Sequence, residues 1–99
     1  MSDKVIKFEN TYKFYRRLAW EKADQNDLLG SLTLLLASKD KSRGVIIYGD
    51  IADLYFDMGH YELSINYWFR FLNLVSKKNY SIAYNGLGTS YFYLGNVDM

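Results

Sequence analysis

The residues best placed to do chemistry in this chain are few. Asp50, Asp53 and Asp57 fall at i, i+3 and i+7, so they share one flank of a helix. Paired carboxylates can do acid–base work, but a solvated acidic flank is far more common. His60 is the sole histidine and follows Gly59 at a helix start, and one imidazole makes no metal site. Glu21, Asp24 and Asp27 cluster at a turn, where acidic groups compensate the dipole of the next helix start. Gly86-Leu87-Gly88 is no phosphate loop, because no strand precedes it and no Lys-Ser/Thr follows. With no cysteine there is neither a disulfide framework nor a thiolate metal site. No Ser/His/Asp set has a recognisable context. The expectation is a protein that is not an enzyme, with no catalytic residue, no metal and no cofactor.

Composition narrows the remaining classes. Ninety-nine residues make one small domain, expected to span 1–99. Of these, 49% are hydrophobic and 18% aromatic, enough to build a core in so short a chain. The net charge is +1, without the basic excess that phosphate neutralisation demands, which argues against nucleic acid. Lys39, Lys41, Arg43, Lys77 and Lys78 read as loop cations at successive repeat ends. The N-terminal residues have no apolar run of the signal-peptide kind. No stretch approaches 18 uncharged apolar residues, so no membrane span is expected and a cytoplasmic location is the default.

The elements that must position these residues show themselves as a repeat. Shifted by 36 positions, Ile46 meets Ile82, Tyr48 meets Tyr84, Tyr55 meets Tyr91, Phe56 meets Phe92 and Gly59 meets Gly95. Ile51 with Leu87, Ala52 with Gly88 and Met58 with Leu94 fill in between. Residues 48, 51, 52 and 55 share one helix face, as do 84, 87, 88 and 91. Gly59 and Gly95 are expected to end their helices as left-handed residues. Tyr61, Ser64, Ile65, Trp68, Phe71, Leu72 and Val75 form the stripe of the next helix, which runs out at Lys77-Lys78-Asn79. A fainter copy comes earlier: Phe14, Leu18 and Ala19, a turn at Asp24–Asp27 with Asn26 as N-cap, then Leu28, Leu29, Leu32, Leu35 and Leu36. Residues 38–44 read as a loop. The expected helices span about 8–24, 26–38, 44–58, 60–77 and 80–94.

From Tyr48 to Phe71 the chain resembles the tetratricopeptide repeat, through Tyr48, Ile51-Ala52, Tyr55, Gly59, Tyr61, Ser64, Trp68 and Phe71. A further copy supplies Tyr84, Leu87-Gly88, Tyr91 and Gly95, and the first copy fits only through Gly30, Leu34 and Ala37. Phe71 is large where that family prefers Ala, Ser76 stands where it prefers Pro, and the spacing of 36 implies a longer turn around Ser76–Tyr80. The resemblance implies an all-α fold of about five helices, a right-handed superhelical stack of antiparallel helix pairs (an α-solenoid). Its repeats would cover about 11–44, 45–80 and 81–99, the last incomplete. Small residues at 52 and 88 would let paired helices approach, with Tyr55, Trp68 and Tyr91 filling the space beyond.

The resemblance also implies a concave groove lined by the first helix of each repeat. Its positions here are Tyr12, Tyr15, Ala19 and Lys22; Ile46, Gly49, Asp53, Phe56 and Asp57; and Ile82, Asn85, Thr89, Phe92 and Tyr93. The carboxylate clamp of some family members needs Lys, Asn and Arg, and this chain has Tyr15, Ala19, Asp50, Ile82 and Gly86 in those places. What remains is an apolar and aromatic groove with acidic markers, suited to a partner helix or strand, with Asn85 and Thr89 free for backbone hydrogen bonds. The expected function is a protein-interaction module. A small chaperone or peptide-sensing regulator is the alternative, and an RNA-binding helical repeat the third reading. Asn96 reads as the cap of a further helix, so Leu87, Tyr91 and Leu94 are expected to lack cover. The chain would then be part of a longer array, or another molecule would supply that surface; either way self-association into a homo-oligomer is expected.

Overall fold

The structure is a computed structural model that describes residues 7–41 and 45–98, with side chains placed for 13–39 and 45–95. Among the described residues every regular element is helical: α1 (Lys7–Asp24), α2 (Leu28–Lys41), α3 (Ile46–Asp57), α4 (Tyr61–Leu74) and α5 (Tyr80–Asp98), with a 3-10 turn at Lys77–Asn79. Backbone packing divides the chain into two compact units, Met1–Ile47 and Tyr48–Met99.

In the first unit α1 and α2 form a hairpin. Ala19 on α1 and Leu32 and Leu35 on α2 are buried, as are Ser31 and Ser38. The expected loop at 38–44 is therefore shorter, because α2 continues to Lys41; Arg43 lies outside the described residues. The turn also corrects the expected cap. Asn26 is left-handed (φ 65°) and closes α1: its amide donates to Ala23 O at 2.9 Å, and the Asp27 amide donates to Lys22 O at 2.8 Å. This is the Schellman arrangement, with Asn in the position usually taken by Gly. Asp27, one residue later, caps α2 by accepting the Gly30 amide on Oδ1 at 2.9 Å.

The second unit is built around α4. Ser64, Ile65, Trp68 and Phe71 are buried along it, and Tyr61, Leu72 and Val75 are half-buried, which is the stripe its periodicity predicts. The helix ends three residues early. Val75 turns extended (φ −84°, ψ 159°), and Lys77–Asn79 form the 3-10 turn that absorbs the longer spacing. Gly59 behaves as expected: at φ 81° it closes α3, with its amide donating to Phe56 O (2.9 Å) and the His60 amide to Tyr55 O (2.8 Å). Gly95 does not. α5 passes through it to Asp98, so Asn96 is helical rather than a cap. With no left-handed residue at 95, the backbone keeps its i→i−4 bonding.

Two devices hold the three helices of this unit. Trp68 lies between glycines: a Cβ on Gly49 would sit 3.4 Å from its ring, and one on Gly86 would fall inside the indole. Glycine at 86, in mid-helix, costs α5 about 1 kcal/mol against Ala, and this close approach is what it permits. The second device is a hydroxyl chain. Ser64 Oγ donates to Ala52 O at 2.8 Å and lies 3.0 Å from Ser90 Oγ. Ser64 has a single hydroxyl proton, already directed at Ala52, so Ser90 is the donor between the two hydroxyls. All three buried groups thereby gain partners.

Candidate functional site

The second unit carries a concavity of about 370 Å³, open to solvent, lined by Asp53 and Phe56 from α3, Trp68 from α4, and Ile82, Asn85, Gly86 and Thr89 from α5. Five of the groove positions named from the sequence converge here: Asp53, Phe56, Ile82, Asn85 and Thr89. Spacing brings this about. Asp53 and Phe56 lie one turn apart on α3, and Ile82, Asn85, Gly86 and Thr89 line one face of α5. Trp68 and Gly86 form part of the wall; the sequence offered Trp68 as a core residue and Gly86 as a position where the carboxylate clamp is missing. Glycine in the helix interior gave no sufficient signal, since Gly86 meets the Trp68 ring and Gly88, two residues on, meets nothing.

Ile82 is exposed and Phe56 half-buried, so apolar surface is available at the rim. Phe56 also anchors an aromatic cluster, 5.3 Å from Tyr61 and 5.1 Å edge-on to Tyr93, with Tyr61 and Tyr93 stacked at 5.8 Å. The ring is held by its neighbours and still lines the cavity. Thr89 corrects an expectation: its hydroxyl donates to Asn85 O at 2.9 Å, so it offers a ligand only lone pairs. The side-chain amide of Asn85 can both donate and accept.

Asp53 keeps solvent access as a residue. Yet loss of hydration around its carboxyl, then repulsion from Asp50, then from Asp57, push its pKa up to about 6. The acidic flank read from the sequence thus has one member that titrates close to neutrality. Around it lie a tryptophan, a phenylalanine, an isoleucine, an amide, a glycine and a threonine. Among the described residues no three His, Cys, Asp or Glu side chains gather as a metal site.

The other named positions lie elsewhere. Tyr15 is half-buried on α1, 5.7 Å from Phe14, and Lys22 is exposed; Tyr12 belongs to α1 by its backbone, and its side chain lies outside the described set. Ala19 is fully buried and so offers a ligand nothing. Gly49 is buried against Trp68 rather than open to a groove. Ile46 and Asp57 are exposed and do not line the concavity; Phe92 is 64% exposed and also stands outside it. Of the residues expected to lack cover, Leu87 is buried, Leu94 half-buried and Tyr91 52% exposed. Tyr91 therefore does not fill a core, and Gly88 faces open space instead of permitting a close contact. No described helix is long and apolar enough to cross a membrane.

Compared with protein-family models, curated proteins and solved structures, the chain has no match in any of the three.

Proposed function

We propose that this chain is a protein-interaction module of tetratricopeptide-repeat type, which holds a short partner segment in the α3–α5 concavity. The observation that carries the reading is the grouping of Ile82, Phe56 and Asp53 around one open cavity with Trp68 in its wall. Apolar groups there favour an aliphatic or aromatic anchor, and the Asp53 carboxylate favours a Lys or Arg beside it. Asn85 supplies backbone hydrogen bonds. Affinity concentrates on such anchors, since few interface residues carry most of the energy.

The test is selection of random peptides on the folded chain. Enriched peptides should carry an apolar residue within a few positions of Lys or Arg. Ile82→Ser, at an exposed position, should weaken a selected peptide about tenfold, equal to about 1.4 kcal/mol. Binding should fall as pH drops from 7.5 to 5, because Asp53 takes up a proton near 6 and its charge is lost. Asp53→Asn should bind less tightly at pH 7.5 and lose that pH dependence. Selected peptides without the pattern, or indifferent to both substitutions, would sink the proposal. A steep loss of binding with added salt would point instead to a phosphate ligand.

A further inference from the structure

Oxygen acceptors from two helices face the α3–α5 concavity, and one of them lacks the partner its charge calls for. Asp53 brings a carboxylate, and every influence on its pKa is upward: lost hydration, then Asp50, then Asp57. A paired cation or a donated hydrogen bond would pull the other way, and among the described residues neither reaches it. Thr89 donates its one proton to the Asn85 carbonyl at 2.9 Å, so its oxygen can only accept from a ligand. Asn85 adds an amide oxygen. The rest of the wall is apolar: the ring of Phe56, Ile82, and Gly86 where the Trp68 indole takes the place of a side chain. A ligand that satisfies this set carries positive charge, several N–H donors and a surface able to lie on an aromatic ring.

We propose, resting on the reading of the concavity as the seat of a partner segment, that the cation it selects is the guanidinium of an arginine and not the ammonium of a lysine. Three properties separate the two here. A guanidinium carries five N–H donors in one plane, enough to serve the carboxylate and a further oxygen together, whereas an ammonium is a point charge with three. Its flat face stacks on aromatic surface, which Phe56 supplies. Arginines of this chain already lie on rings in that way, Arg16 over Trp20 at 4.3 Å and Arg70 over Tyr67 at 4.9 Å. A guanidinium is also the more weakly hydrated cation. Water is already partly withheld from Asp53, so a group that must stay hydrated gains least beside it.

The probes are N-acetyl-arginine methylamide and N-acetyl-lysine methylamide, each titrated at pH 7.5 into the isotope-labelled full chain and followed by NMR. Two groups report on the cavity: the Asn85 side-chain amide and the indole N–H of Trp68, whose edge lies against Gly86. The Trp20 indole, in the other unit, is the control. The arginine probe should shift both reporters saturably, leave Trp20 unmoved, and half-saturate at a concentration about fivefold or more below that of the lysine probe. In Asp53→Asn, at an exposed position, the two probes should come within about twofold of each other, since no carboxylate remains to take paired hydrogen bonds. Equal half-saturation by the two probes in the unaltered chain would overturn the choice of arginine and leave the concavity as a partner's seat. A preference that survives Asp53→Asn would overturn it too, as would an arginine probe that moves Trp20 or moves nothing. The seat itself stands or falls separately, on whether selected peptides respond to Ile82→Ser and Asp53→Asn.

Discussion

Two of the described turns between helices, Lys22–Asp27 and Tyr55–His60, solve one geometric problem with different residues. Both close a helix with a left-handed residue, and both make the same pair of backbone bonds within 0.1 Å, at 2.8–2.9 Å. The first uses Asn26 and then caps the following helix through Asp27. The second uses Gly59 and then His60, which makes no side-chain cap bond and sits at φ −91°, ψ 73°. Backbone geometry is shared; what differs is where stabilisation enters. The first turn gains from its cap and tolerates a strained Asn, whereas the second avoids strain and leaves its cap unused.

Substitutions at the two turns would break or sharpen this contrast, and chemical denaturation would measure each. The largest effect is expected for Gly59→Ala, a loss of about 1–2 kcal/mol, because an L residue at φ 81° brings Cβ against the carbonyl. An unchanged midpoint would mean the second turn relaxes out of its left-handed form. Asp27→Ala comes next, at about 1 kcal/mol, the usual cost of losing an N-cap acceptor. His60→Asp should move the other way by about 0.5 kcal/mol, supplying a cap and a negative charge at the α4 N-terminus. The smallest net change is expected for Gly30→Ala. Alanine favours a helix interior by about 1 kcal/mol, but a Cβ there would run into the Asp27 carboxylate and displace the cap. A full gain would show that the cap bond contributes little.

Period and residue size carry much of this fold into the sequence, and the exceptions have physical causes. The stripe on α4 could be read because an apolar residue every three or four positions has few other uses. Ile82, Asn85 and Thr89 could be placed with Asp53 and Phe56 because the resemblance to the tetratricopeptide repeat implies one groove lined by the first helix of each copy. Asn26 and Asp27 are both good caps and adjacent, so composition does not decide between them; the left-handed φ at 26 does. Gly95 matches Gly59 in the alignment, but glycine is tolerated inside a helix as well as at its end. Burial of Tyr91 does not follow from its match to Tyr55, since burial depends on what lies across the face.

The contrast in tryptophan environments has an optical consequence. Each unit holds one indole: Trp20 is 52% exposed beneath the Arg16 guanidinium at 4.3 Å, and Trp68 is 4% exposed between two glycines. Emission should therefore split into a red component that iodide quenches and a blue one that it does not reach. Replacing Trp20 with Phe would leave Trp68 as the single tryptophan, so that with excitation beyond the tyrosine band melting of the second half of the chain can be followed separately from the first.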